Sequence, residues 1–251
     1  MCGTRSPTVV LVHGWSCDRS YWDAQKDYLS GRYRVVTLDL AGHGRSARGR
    51  TGWTIAAFAS DVTAVVGAVP TNDVVLVGHS MGGDVVLEAA RSLRHSVRGV
   101  VWVDTYRQLS VFSSAEEVRS RLAPFESDFV HATRAFVRQM FREDADPALV
   151  ERVVLHMSAA PPDIALAALE SAWTFGANVP ALLRELGVPV VAINPDQPAT
   201  DHGSMQRHGV KVVSISGVGH FPMLESAERF NACLTDVIDA FPANGGRGSN
   251  A

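Results

Sequence analysis

The chain has 251 residues, 46% hydrophobic and 20% charged, which suits one ordinary globular domain with a large core. A formal charge of −3, with arginines scattered rather than clustered, gives no support to binding of nucleic acid or a membrane surface. No apolar run approaches membrane-spanning length, and the widely spaced Cys2, Cys17 and Cys233 match no metal pattern and read as reduced thiols. The start of the chain lacks a basic region followed by an apolar core, so a cytoplasmic protein is expected.

Thr8 to Val12 reads as a first strand, with His13-Gly14-Trp15 at its C-terminal end. Tyr21 to Leu29 reads as a helix, for which Gly31 suits a C-terminal cap. Arg34 to Leu38 is a second strand and leads into Asp39-Leu40-Ala41-Gly42-His43-Gly44-Arg45-Ser46. Thr54 caps a helix to Val69, in which Ile55, Phe58, Ala59, Val62, Val65 and Val66 share a face and Pro70 follows. Val74 to Val77 is short, apolar and β-branched, as expected of a buried parallel strand. Gly78-His79-Ser80-Met81-Gly82 follows at once, and then a helix over Asp84 to Leu93. Arg98 to Val103 is the fourth strand and ends at Asp104. The alternation then stops, and Ala115 to Leu122, Asp128 to Phe141, Pro147 to Ser158 and Pro162 to Phe175 all read as helical. Val188 to Ile193 and Lys211 to Ile215 are the last strands, His220 lies in the loop after them, and Ala227 to Ala240 is the closing helix. The tail over 244–251 is rich in Gly, Asn and Ser and reads as disordered.

Strand, G-x-S-x-G and helix in that order form a turn so sharp that the serine is held with its hydroxyl outward. The flanking glycines let strand and helix approach. Here the chain resembles the α/β-hydrolase family, and Ser80 sits where that family keeps its nucleophile. The resemblance implies a doubly wound α/β fold, a mostly parallel six-stranded sheet in the order 2-1-3-4-5-6, with a helical cap inserted after the fourth strand. The core then spans 1–106 and 184–243, and the cap 107–183. The family's N-terminal antiparallel pair has no room before Thr8.

A serine hydroxyl needs an adjacent base. His220, in Gly217-Val218-Gly219-His220-Phe221-Pro222-Met223-Leu224-Glu225, closely matches the family's histidine and comes last in the chain order. His13, His43 and His79 read as loop-holding residues. An oxyanion hole needs two convergent N–H groups. One is Met81, after the nucleophile. Resemblance of His13-Gly14-Trp15 to the family's HGX motif assigns the other to Trp15. Most of the family carries the acid after the fifth strand, in a pattern like Gly-x-x-Asp. This chain departs from it with Ile193-Asn194-Pro195-Asp196-Gln197-Pro198. A minority carries it directly after the fourth strand, where Asp104 stands. Asp104 is the preferred acid and Asp196 the alternative. The Asp39 loop resembles the family's D-x-x-G-x-G-x-S turn and reads as architectural.

The resemblance implies a serine hydrolase of carboxylic esters or lactones, requiring no metal or other cofactor and acting on a small molecule with an apolar or aromatic acyl group. Carbon–carbon bond hydrolases, perhydrolase-type haloperoxidases and cofactor-independent dioxygenases share the scaffold and remain open. So does a non-enzymatic ligand receptor built on it.

Overall fold

The computed structural model describes residues 1–110 and 113–243; the proposed tail, 244–251, lies outside the described residues. Six strands form one parallel sheet: β1 (Thr8–Val12), β2 (Arg34–Leu38), β3 (Val74–His79), β4 (Val97–Val103), β5 (Val190–Pro195) and β6 (Val210–Ile215). Their order is β2-β1-β3-β4-β5-β6, as the family resemblance implies. β1, β3 and β5 are buried at every position, which explains why they read as continuous apolar runs rather than alternating ones. Ahead of β1, Cys2 makes a single antiparallel bridge with Val35 of β2.

Among the core helices, α1 (Asp23–Leu29) packs with α11 (Ala227–Ala240), and α2 (Ile55–Gly67) packs with α3 (Met81–Ser92). The Thr54 hydroxyl caps α2 by accepting from the Ala57 amide at 3.2 Å, and Ile55, Phe58, Ala59, Val62 and Val66 form its buried stripe. Gly31 does not take the left-handed conformation expected of a cap. The chain leaves α1 instead by tight turns in which Arg32 and Tyr33 both donate to the Leu29 carbonyl.

Among the described residues, five α-helices lie between β4 and β5: α4 (Ala115–Ser127), α5 (Phe129–Arg138), α6 (Pro147–Ser158), α7 (Pro162–Phe175) and α8 (Val179–Leu186). The sequence ends the first of these at Leu122, but α4 continues through Pro124. Proline there removes one ladder donor. Burial of Leu122 and Phe125 on one face, and a capping box between Ser114 and Glu117, carry the helix past it. The sequence reading also missed α8, as well as the short α9 (His202–Arg207) and α10 (Pro222–Glu225) around β6.

Register sets the site. Val12 of β1 lies beside Gly78, and His79 of β3 lies beside Val103 of β4, which in turn pairs with Ile193 of β5. The segments after β1, β3 and β4 therefore leave the sheet side by side, at its C-terminal edge. That is where open parallel sheets present ligand sites.

Candidate active site

Ser80 stands between β3 and α3 with φ 52° and ψ −122°, a conformation that L residues avoid. Its amide donates to the Val103 carbonyl at 2.9 Å, and its carbonyl accepts from Gly83 at 2.8 Å, so neighbouring backbone pins the elbow. The glycines are sterically required. A Cβ on Gly78 would lie 2.1 Å from the Gly82 carbonyl oxygen, and one on Gly82 would lie 2.5 Å from that of His13. The close approach at Gly82 also brings the segment after β1 against the start of α3. Met81 is the first residue of α3, so its amide has no carbonyl one turn earlier to bond. Gly14, the residue before Trp15, lies against the His79 ring, where a Cβ would come within 2.8 Å of Nδ1.

His220 reaches this edge from the loop after β6. Its Nδ1–H donates to Asp104 Oδ2 at 2.7 Å. Four further hydrogen bonds hold the loop. The His220 amide donates to the Met140 carbonyl at 2.9 Å, and His79 Nε2–H donates to the His220 carbonyl at 2.8 Å. The Glu225 carboxylate accepts from the amides on either side, Gly219 at 2.7 Å and Phe221 at 3.0 Å.

Asp104 follows β4 with φ 45°, and its side chain is 5% exposed. It is shared between two partners, since Oδ1 takes the Arg107 guanidinium at 2.8 Å while Oδ2 takes His220. Arg107 also donates to the carbonyls of Pro195 and Pro198, tying the turn after β5 to the same carboxylate. Asp196 is elsewhere engaged: its amide bonds Ile215, its Oδ1 is buried without a partner, and it makes no described contact with His220. Asp201 caps α9 through the Ser204 amide.

Ser80, His220, Met81 and Trp15 all line one cavity of about 270 Å³ between the sheet edge and the inserted helices. Phe136, Met140, Met157 and Trp173, from the segment between β4 and β5, face this space. Phe125 and Phe129 pack instead on Trp15, with ring centroids 5.9 and 6.2 Å away. The Trp15 indole N–H donates to the Ala165 carbonyl of α7 at 2.7 Å, tying the loop after β1 to that helix.

The remaining histidines in this region hold backbone. His13 Nε2 accepts from the Leu40 amide at 3.0 Å, and burial together with nearby His43 pushes its pKa down to about 3. Burial likewise holds His79 well below the ordinary histidine range, with His220 adding to the effect. Asp39 collects the amides of Arg19 and Arg45, and a Cβ on Gly44 would collide with its carboxyl, an architectural role.

Sequence reasoning missed Arg107, Glu225 as a loop latch, and a buried pair formed by Asp84 and Tyr106. The signal for Arg107 was its spacing, three residues past an aspartate at a strand end. For Asp84 it was a lone charge within a glycine and valine run.

A family model described as "Alpha/beta hydrolase family" matches residues 9–232. The pimeloyl-[acyl-carrier protein] methyl ester esterase of Methylococcus capsulatus is 32% identical over 247 residues, covering 93% of this chain and 95% of that protein. A thermophilic esterase from Thermogutta terrifontis superposes with a TM-score of 0.81 at 26% identity, covering 95% of this chain and 91% of that one. A hydrolase from Oleispira antarctica superposes with a TM-score of 0.84 over 95% and 93% of the two chains; at 15% identity it bears on the fold alone. With the sheet order, the elbow and these matches together, the chain belongs to the alpha/beta hydrolase family and is an enzyme of that class.

Proposed function

We propose that the chain is a serine hydrolase that cleaves carboxylic esters or lactones through an acyl-enzyme on Ser80. The observation that carries this reading is the convergence on one cavity of a strained serine elbow and a histidine hydrogen-bonded to a buried carboxylate. The near end-to-end match to a methyl ester esterase supports an ester, rather than a carbon–carbon bond, as the bond cut.

In this mechanism Asp104 holds Nδ1–H of His220, which leaves Nε2 with its lone pair toward the cavity. His220 takes the Ser80 proton as Oγ attacks the carbonyl carbon, and Asp104 stabilises the imidazolium that forms. The amides of Met81 and Trp15 receive the negative charge on the tetrahedral oxygen. His220 returns the proton to the leaving alcohol, and water, activated by the same base, releases the acid. The hydrolase core spans 1–106 and 184–243, while 107–183 is a cap that shapes the acyl site. The substrate is a small molecule. The test is a panel of p-nitrophenyl esters and lactones, in which hydrolysis by the purified chain supports the reading and inertness toward all of them opposes it.

Two further outcomes follow from the geometry. The apolar wall made by Phe136, Met157 and Trp173 is expected to favour medium-chain or aromatic acyl groups over acetate in kcat/KM. Each buried methylene contributes roughly 0.8 kcal/mol, about fourfold. A flat profile across chain lengths would remove the cap from substrate selection. Arg107→Met is expected to lower unfolding free energy by about 1–3 kcal/mol, because Asp104 Oδ1 and the carbonyls of Pro195 and Pro198 lose their donor. Urea unfolding measures this, and an unchanged midpoint would show that the clamp adds nothing.

A further inference from the structure

The mechanism above uses neither Asp84 nor Tyr106, although both line the cavity. Asp84 sits on the first turn of α3, four residues beyond Ser80, and is 4% exposed. Its Oδ1 accepts from the Tyr106 hydroxyl at 2.7 Å, and it forms no ion pair among the described residues. Tyr106 is fixed from behind, since its carbonyl accepts from the buried Asn194 side chain at 2.9 Å. Packing alone does not call for a carboxyl here. Val85, Val86 and Leu87, which follow on the same helix, are fully buried, and an apolar residue at 84 would avoid the desolvation of an acid.

Resting on the ester-hydrolase reading, we infer that Asp84 and Tyr106 form a specificity subsite for a second oxygen on the substrate, a keto, ether or hydroxyl oxygen a few bonds from the scissile carbonyl. Burial without a cationic partner disfavours the carboxylate, so the group is pushed up to about 8 and is mostly the neutral acid at neutral pH. Oδ1 accepts the phenol hydrogen bond, and the acid's own proton is then a donor that no described group accepts. A substrate oxygen satisfies that donor; a hydrocarbon chain leaves it unpaired, which is the stronger form of discrimination. Ionisation turns the donor into an acceptor that repels the same oxygen. Tyr106 is the titratable group in contact with Asp84, while His79, His220 and Arg121 line the same cavity. Arg121 is engaged elsewhere, stacked 3.9 Å from the Trp173 ring centroid and donating to Ser113 at 3.3 Å.

The test compares p-nitrophenyl levulinate, which carries a keto oxygen, with p-nitrophenyl pentanoate of the same chain length. A matched pair with the keto group on the alkoxy side of the ester covers the opposite binding direction. The readout is the change of the keto-to-alkyl ratio of kcat/KM with pH and between variants, in which a constant difference in ester reactivity and any effect on the base common to both substrates cancel. In the unaltered enzyme the ratio in one of the two pairs is expected to fall about tenfold between roughly pH 6 and 9 as Asp84 ionises. Asp84→Leu is expected to lower the ratio at neutral pH by a similar factor. Asp84→Asn, which donates at every pH, is expected to keep a high ratio that no longer changes with pH. Tyr106→Phe is expected to move the midpoint upward, because the phenol hydrogen bond favours the carboxylate. A ratio that is flat with pH in the unaltered enzyme and equal in Asp84→Asn overturns the subsite, even if Asp84→Leu fails to fold. Steady hydrolysis of the pentanoate in that case leaves the ester-hydrolase reading standing. Inertness of the unaltered enzyme toward all these esters overturns both.

Discussion

Ser80→Ala is expected to lower kcat for p-nitrophenyl ester hydrolysis by on the order of 10⁴ to 10⁶, with the fold and unfolding midpoint retained. The substitution removes one oxygen and nothing else from the elbow. The Ser80 amide still donates to Val103, the flanking glycines keep their close contacts, and alanine has the same Cβ at φ 52°. What is lost is the atom that forms the covalent bond in the proposed mechanism. In the proposed mechanism, residual turnover comes from substrate binding and the amides of Met81 and Trp15 acting on water. Steady-state kinetics on the purified variant, with a thermal scan as a folding control, provide the check. A loss of tenfold or less would remove Ser80 from the chemistry.

The second large effect concerns the acid. Asp104→Asn is expected to lose on the order of 10² to 10⁴ in kcat while remaining folded. The amide keeps the shape of the side chain, but it no longer stabilises an imidazolium, and its NH₂ group can turn toward Nδ1 and impose the wrong histidine tautomer. Asp196→Asn is expected to change kcat only slightly, because the Asp196 carboxylate makes no described contact with His220 and its Oδ1 is already unpartnered. Measuring both variants on one substrate gives a ranking. The reverse order would move the acid to the turn after β5.

The contrast between these two aspartates shows what sequence carries and what it does not. The sheet was legible because β1, β3 and β5 are buried at every position, so their apolar runs announce parallel strands without knowledge of neighbours. The elbow was legible because its constraints are local: Gly78 and Gly82 collide with backbone if given a Cβ, and the spacing records that collision. His220 was legible from its position after the last strand. Asp104 was only half legible. Its place at a strand end is local, but its hydrogen bond to His220 joins residues far apart in the chain, and only strand register brings the ends of β3 and β4 level. Arg107 and Asp84 left only faint local signals, since the carbonyls of Pro195 and Pro198 and the Tyr106 hydroxyl that give them their roles come from segments remote in the chain. Helix ends were lost where tertiary packing overrode a local signal. Buried Phe125 carries α4 past Pro124, and the turns onto Leu29 leave Gly31 without a capping role.

The most direct test of the account is covalent. Incubation with a fluorophosphonate, followed by proteolysis and mass spectrometry, is expected to place one adduct per chain on the peptide that contains Ser80. The adduct is expected to vanish in Ser80→Ala and to form far more slowly in His220→Ala, because Ser80 then lacks its base. Undiminished labelling in Ser80→Ala, or an adduct mapped to another residue, would contradict the acyl-enzyme mechanism.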